Sequence, residues 1–231
     1  MIDKGRYVRE MFASIAPRYD ATNRVLTAGI DERWRRRAVA ALRPKPEDTI
    51  LDLCCGTGDL AFHLMRTEPK LHVTGVDFCA PMLDRARQRA IEQPAGVTFV
   101  EADVLALPFA NRSFDGAIMG FSMRNVVDID ALLAEVRRIL RPGARFVNLD
   151  VSKPPNPFIR RAFNTYFYNV VPFVGARIGG SAMAYRYLPQ SLTNFPDADG
   201  LAARFTKAGF EGATYHRLMF GAIAVHVGRA A

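Results

Sequence analysis

The feature that most constrains this chain is an apolar stretch at residues 49–53 that runs into Cys54-Cys55-Gly56-Thr57-Gly58-Asp59 and then into a helical pattern. A short apolar run ending in a glycine turn and followed by a helix is the opening of a parallel α/β unit. Glycine in such a turn permits positive φ and lets a ligand approach the backbone. The same alternation continues downstream. Residues 72–76, 97–100, 114–119 and 144–151 read as strands, separated by helical patterns at 58–65, from Pro81 onward and at 129–140, the last closed by Arg141-Pro142-Gly143. Tyr215 to Val227 holds the closing strands, read as antiparallel, after a helix at 197–208 that Gly209 caps. The expected fold is α/β, a doubly wound, mostly parallel sheet of seven strands.

Two segments depart from this alternation. Residues 4–42 read as two helices, the first carrying Tyr7, Val8, Met11, Phe12 and Ile15, with Pro17 as the break between them. Residues 158–195 are rich in Phe and Tyr and partly helical, and they read as an insertion before the last strand pair. The expected organisation is therefore one domain: a helical cap at 1–46, a ligand-binding core at 47–152, an aromatic insertion or lid at 153–196, and a last helix with closing strands at 197–231.

Composition narrows the class. Half the residues are hydrophobic and under a quarter are charged, which suits a globular chain of 231 residues. No run of about eighteen uncharged apolar residues is present, so no spanning helix is expected. Residues 1–6 show no apolar signal core, and three cysteines, two of them adjacent, give neither a disulfide framework nor metal-ligand spacing. A cytoplasmic location without a metal is expected. The net charge of +8 lies mainly in helical segments, without a zinc-finger, helix-turn-helix or RNA-binding signature. Nucleic acid is therefore not expected as a partner, whereas peripheral contact with a membrane is compatible with the charge. A scaffold or RNA-binding protein using the basic surface is the non-enzymatic alternative.

In a doubly wound sheet the ligand binds beyond the carboxyl ends of the strands, near the reversal of strand order. That assigns Asp52, Gly56, Thr57 and Gly58 to the site. Asp77 ends the second strand, where a carboxylate can accept from both ribose hydroxyls, and Phe78 follows it. Asp103, with Val104, ends the third strand, placed to accept from an adenine amine. Gly120 ends the fourth. The spacing Gly56-x-Gly58-x-x-Ala61 also satisfies a dinucleotide fingerprint, which by itself is a weak signal. Asp52, Asp59, Asp77 and Asp103 would crowd a pyrophosphate with negative charge, and no Tyr-x-x-x-Lys pair is present. S-adenosylmethionine, with a sulfonium, an ammonium and no phosphate, suits an acidic rim better. For Asp52 the plain alternative is a loop-orienting role through backbone N–H groups.

Longer motifs carry a resemblance. Met11-Phe12-Ala13-Ser14-Ile15-Ala16-Pro17-Arg18-Tyr19-Asp20-Ala21-Thr22-Asn23, Gly29-Ile30-Asp31-Glu32-Arg33-Trp34, Phe121-Ser122-Met123-Arg124-Asn125-Val126 and Ser181-Ala182-Met183-Ala184-Tyr185-Arg186-Tyr187-Leu188 resemble the menaquinone/ubiquinone biosynthesis C-methyltransferases, from about residue 10 to the C-terminus. The resemblance implies the class I S-adenosylmethionine-dependent fold and methylation of a ring carbon on a prenylated quinol, most simply demethylmenaquinol, with a benzoquinol precursor as the alternative. It implies donor contacts from Thr57, Asp77, Asp103 and Val104. The sequence departs from the pattern at Gly120, where many relatives carry serine, and at Asp103-Val104, where some carry Asn-Ala. Another lipid-like acceptor, such as a sterol or phosphoethanolamine, is the rival within enzymes.

The chemistry of such a transfer points to particular side chains. A quinol carbon becomes nucleophilic when a neighbouring hydroxyl is deprotonated, so catalysis is orientation plus phenolate stabilisation. Arg124, following the fourth strand, suits the oxyanion without acting as a base; its alternative is a surface ion pair with Asp128. Asp150, ending the fifth strand, is placed to accept a proton. Tyr19 is expected to close over the donor, and Asn125, Tyr185 and Arg186 to line the quinol pocket. The 158–195 segment is expected to give a greasy groove for the tail, with Arg160, Arg161 and Arg177 meeting anionic headgroups. A lid or a homodimer surface would be equally aromatic.

Overall fold

The computed structural model describes residues 4–93, 96–179 and 181–231, with the side chains of Ala182 and Arg186 outside that description. Seven strands, β1 (Thr49–Leu53), β2 (His72–Asp77), β3 (Val97–Glu101), β4 (Phe114–Gly120), β5 (Leu140–Val151), β6 (Phe210–Leu218) and β7 (Ile223–Ala230), form one sheet in the order β3-β2-β1-β4-β5-β7-β6. The first five are parallel, and β7 runs antiparallel between β5 and β6. Ten α-helices flank them among the described residues: α1 (Lys4–Ile15), α2 (Tyr19–Leu26), α3 (Asp31–Leu42), α4 (Asp59–Thr67), α5 (Ala80–Glu92), α6 (Ile129–Ile139), α7 (Pro157–Thr165), α8 (Val171–Ile178), α9 (Ala182–Thr193) and α10 (Ala198–Lys207). Central strands covered on both faces read as near-continuous apolar runs, which is why β1 and β4 were visible in the sequence. Ile50, Leu51, Leu53, Ala117, Ile118 and Met119 are almost wholly buried.

Two elements differ from the expectation. Residues 4–42 hold three α-helices rather than two. Pro17 sits in the first turn of a 3₁₀ segment (Ala16–Arg18), where a missing N–H costs nothing, and the chain re-enters a helix at Tyr19. Residues 140–143 belong to β5 rather than to a loop; the strand starts at Leu140 opposite Phe114, and a register shift between Phe114 and Gly116 absorbs the Arg-Pro-Gly stretch. The closing strands are also longer than the 215–227 span suggested.

The aromatic segment packs as α7, a π-helical turn (Tyr166–Val170), α8 and α9. Asn156 caps α7 by accepting from the Phe158 and Ile159 N–H groups. Tyr185 of α9 is buried against Gly175 of α8 and Gly179 just beyond its end, where a Cβ at either glycine would overlap its ring. Phe163 stacks on Phe167 with centroids 5.2 Å apart. The Tyr166 hydroxyl donates to the Leu26 carbonyl, tying this segment to the end of α2.

Candidate active site

Strand order reverses between β1 and β4, and a cavity of about 870 Å³ lies there, lined from the carboxyl ends of the strands, the N-terminal helices and the aromatic segment. Its floor is the glycine loop. Cys54 (φ 51), Gly56 (φ 55) and Gly58 (φ 87) all take left-handed backbone, and a Cβ on Gly58 would lie 2.9 Å from the Phe62 ring. Gly58 is therefore required both for conformation and for closeness.

Asp77 organises the loop. One carboxylate oxygen accepts from the Gly56 N–H at 2.8 Å and the other from the Cys79 N–H at 2.9 Å. Burial pushes its carboxyl up to about 6, against the pull of these backbone donors. Asp77 also lines the cavity. Asp52 is buried beneath the loop and accepts from the Ala61 N–H at 3.0 Å in the first turn of α4, while its other oxygen has no partner. Desolvation drives its carboxyl well above the usual range. The loop-orienting alternative for Asp52 thus describes one of its oxygens. Asp103 is exposed at the rim and accepts from the Leu105 N–H, and Val104 beside it is buried. Phe78 lines the wall with the Arg9 guanidinium 5.2 Å from its ring centre.

These residues fit an adenosyl ligand. A buried carboxylate lines the cavity at the end of β2, Gly56 and Gly58 admit close approach to the turn, and one buried Asp52 oxygen is left without a protein partner. Among the described residues, no group of three or more His, Cys, Asp or Glu is arranged to hold a metal ion.

A model of the ubiE/COQ5 methyltransferase family matches residues 1–230. The chain belongs to the ubiE/COQ5 methyltransferase family. It is 46% identical over 218 residues to the demethylmenaquinone methyltransferase of Thermus thermophilus, covering 94% of this chain and 99% of that relative. It is 42% identical over 226 residues to the demethylmenaquinone methyltransferase of Deinococcus radiodurans, covering 98% of this chain and 93% of the relative. It is 40% identical to the ubiquinone/menaquinone biosynthesis C-methyltransferase UbiE of Desulfotalea psychrophila, covering 99% and 92%. The fold is similar to that of an S-adenosylmethionine-dependent methyltransferase from Thermotoga maritima, with a TM-score of 0.70 at 20% identity over 96% of this chain and 99% of that one. The chain is an S-adenosylmethionine-dependent methyltransferase.

The rest of the cavity distinguishes this family member from a bare donor-binding fold. Arg124 follows β4 in a 3₁₀ turn (Met123–Asn125) and is buried. Its Nη1 donates to the Phe121 carbonyl at 2.7 Å and to an Asp150 oxygen, and its backbone N–H reaches the second Asp150 oxygen at 3.4 Å. The ion pair with Asp128 is thereby corrected: Asp128 instead caps α6 by accepting from the Ala131 N–H. The role expected of Asp150 as proton acceptor is corrected too. Asp150 does not line the cavity, and its oxygens are occupied by Arg124 and by the Val151 N–H at 2.8 Å. It holds the guanidinium, whose Nε is buried without a partner. Asn125 lines the cavity and leaves both amide atoms unpartnered. Tyr19 and Tyr185 line it as well; burial raises the Tyr19 phenol pKa, opposed by Asn23 and by the guanidinium groups of Arg35 and Arg124. Arg186 lies on α9, with its side chain outside the described residues. Gly120 has a packing cause. A Cβ there would stand 2.7 Å from Leu60 Cδ1, so the absent serine goes with a leucine that fills its space.

Sequence reasoning missed the charge network that seats the N-terminal helices on the loop. Asp20 of α2 accepts from the Thr57 hydroxyl at 2.6 Å. Arg89 of α5 donates to Asp20, to the Thr57 carbonyl at 2.8 Å and to Asp59 at 2.7 Å. Arg35 of α3 reaches Asp59 at 3.1 Å and also pairs with Asp31. Burial works against the Asp59 carboxylate, yet the two arginines hold it below the usual range. Thr57, expected to contact the donor, spends its hydroxyl on Asp20. The one signal in the sequence was the adjacency of Asp20 to Tyr19 within the N-terminal motif.

Proposed function

We propose that this enzyme methylates a ring carbon of a prenylated quinol, converting demethylmenaquinol to menaquinol. The observation that carries this reading is the position of Arg124. A buried guanidinium, fixed by Asp150 and by the Phe121 carbonyl, lines one cavity together with the carboxylates of Asp52, Asp77 and Asp103 and the apolar side chains of Phe12, Trp34, Phe163 and Leu188. The names of the relatives most similar to the chain support the same acceptor.

S-adenosylmethionine supplies a methyl carbon made electrophilic by its sulfonium. The chain supplies the rest. Asp77 accepts from the ribose diol and Asp103 from the adenine amine, with Asp52, Gly56, Gly58, Phe78, Val104 and Gly120 shaping the bed. Arg124 faces the oxygen ortho to the reacting carbon and stabilises the phenolate left when its proton passes to water; the ring carbon takes the methyl as S-adenosylhomocysteine leaves, and the ring C–H proton is then lost to water, restoring the quinol. The burial of Arg124 strengthens that interaction, because little water competes for it. Asp150 is a positioning residue for the guanidinium. Asn125 offers an amide to the second ring oxygen, and Tyr19 closes the cavity from the α2 side. The isoprenoid tail follows the apolar half towards solvent. An acceptor of this kind resides in a bilayer, while no helix of the described residues is long and apolar enough to cross one.

An acceptor panel with methyl-labelled donor tests the reading. Demethylnaphthoquinol with a short prenyl tail should be labelled on the ring carbon, faster than a prenylated methoxybenzoquinol and far faster than phosphoethanolamine. Label on the benzoquinol alone would shift the assignment to the ubiquinone branch, a second reading favoured by the name of the Desulfotalea psychrophila relative. Label on neither quinol would overturn it.

A further inference from the structure

Apolar side chains left in solvent gather at the mouth of the cavity. Ile30, Tyr166 and Met219 line the cavity and are nevertheless 36%, 39% and 45% exposed. Beside them Phe220 is 78% exposed, and Phe158, in the first turn of α7, is 84% exposed. Contacts join these pieces into one rim. The Tyr166 hydroxyl closes on Leu26, next to the turn carrying Ile30. The turn at Met219–Gly221 seats Gly221 against Pro154 and Pro155, which lead into α7.

Folding does not explain this rim. Helix α7 buries none of its residues. Met219 (φ 48) and Phe220 (φ 56) take left-handed backbone in succession, a conformation unfavourable for bulky residues, and the outcome is a phenyl ring held out in water. The charge of the segment that carries α7 is one-sided. Residues 153–195 contain Lys153, Arg160, Arg161, Arg177 and Arg186 and not one Asp or Glu, although the whole chain has 23 acidic residues. Arg177 lies 3.8 Å from the ring centre of Phe173, which is itself 61% exposed.

We infer that this rim docks on an anionic phospholipid surface. Phe158 and Phe220 enter the boundary between headgroups and acyl chains, Arg160 and Arg161 meet the headgroup charge, and the gap between Ile30, Tyr166 and Met219 admits the acceptor's tail directly from the bilayer. The inference rests on the quinol reading for the tail, whereas the docking itself rests on the rim. An apolar tip set in a cationic segment without acids matches the layered chemistry of such a membrane, and the cavity opening at that tip spares the tail a passage through water.

Vesicle sedimentation of the full chain tests it, with phosphatidylcholine vesicles compared with mixed phosphatidylcholine–phosphatidylglycerol vesicles. The wild type should bind the anionic vesicles and release them at high salt. Phe158→Ser/Phe220→Ser and Arg160→Gln/Arg161→Gln should each bind about tenfold more weakly. Both variants should keep wild-type thermal midpoints, affinity for S-adenosylhomocysteine and turnover of a tail-less naphthoquinol, while losing methylation of a long-tailed acceptor presented in vesicles. Unchanged vesicle binding by both variants would overturn the docking. So would light scattering that shows a dimer of the wild type dissociated by Phe158→Ser/Phe220→Ser, since the rim would then cover a second copy of the chain. Normal vesicle binding combined with failure of the wild type to methylate any quinol would sustain the docking and sink the acceptor reading.

Discussion

The donor half and the acceptor half of the cavity are built on different principles. Around the glycine loop nearly every polar side chain is fixed by backbone groups or by a charge partner: Asp77 by Gly56 and Cys79, Asp52 by Ala61, Asp59 by Arg35 and Arg89. The remaining walls are aromatic and aliphatic, with Phe12, Trp34, Phe163, Phe167 and Leu188 among them, and Ile30, Tyr166 and Met219 of that lining remain in solvent. Fixed acceptors suit a ligand that is always the same small polar molecule. Mobile, directionless apolar contacts suit a long chain that must slide in and out. Arg124 stands at the seam and belongs energetically to neither half. Its charge is neutralised from behind by Asp150, and its Nε is buried without a protein partner.

That division can be broken at the seam first. Arg124→Lys keeps the charge opposite Asp150 but loses the planar fork; turnover is expected to fall by roughly 100-fold, in line with removal of one preorganised oxyanion donor. S-adenosylhomocysteine affinity, measured by calorimetry, should stay within about twofold. Equal losses in both would mean that Arg124 only holds the fold together. In the donor half, Asp77→Ala should weaken S-adenosylhomocysteine binding by about 1–3 kcal/mol while turnover at saturating donor changes much less. Unaltered donor affinity would remove Asp77 from the site.

A pH titration sharpens the same point. Burial lifts the Asp77 carboxyl to about 6, and only its ionised form accepts from both loop N–H groups with lone pairs to spare. Donor affinity should therefore be constant above about pH 7 and decline as pH falls through 6, and Asp77→Ala should abolish that inflection. Stability follows the opposite sign. Because the folded value lies above the unfolded one, near 3.8, ionised Asp77 opposes folding. That penalty is absent below about pH 4 and complete above about 6. At Gly120 the expected effect falls on stability rather than on the donor. Gly120→Ser should lower stability by about 1–3 kcal/mol through crowding of Leu60, and the same change made in a Leu60→Ala background should cost less. Thermal melts of the single and double variants check this; a serine tolerated without the second change would show that Leu60 moves freely.

The donor half was the more legible in sequence, and for a physical reason. A strand, a tight turn and a helix N-terminus are local, so Gly56, Gly58 and Asp77 announce themselves within some twenty residues. Contacts set by sheet register do not. Arg124 and Asp150 are 26 residues apart and meet because β4 and β5 are parallel neighbours, so the sequence offered the nearer Asp128 as partner instead. Asp20 and Thr57 are 37 residues apart and meet only through the seating of α2, a helix hidden by Pro17, which can end one helix or begin the next. The aromatic segment was legible as greasy but not as a shape. Its path depends on Tyr185 finding Gly175 and Gly179, a match of volumes that composition does not encode.

The most direct test of two separable halves is the dependence of kcat/KM on tail length, measured with naphthoquinols carrying none, one and several isoprene units at saturating donor. The division predicts a KM that falls with each added unit, as more tail is buried against the apolar wall, with S-adenosylhomocysteine affinity unmoved. A kcat/KM equal for tail-less and long-tailed acceptors would contradict it.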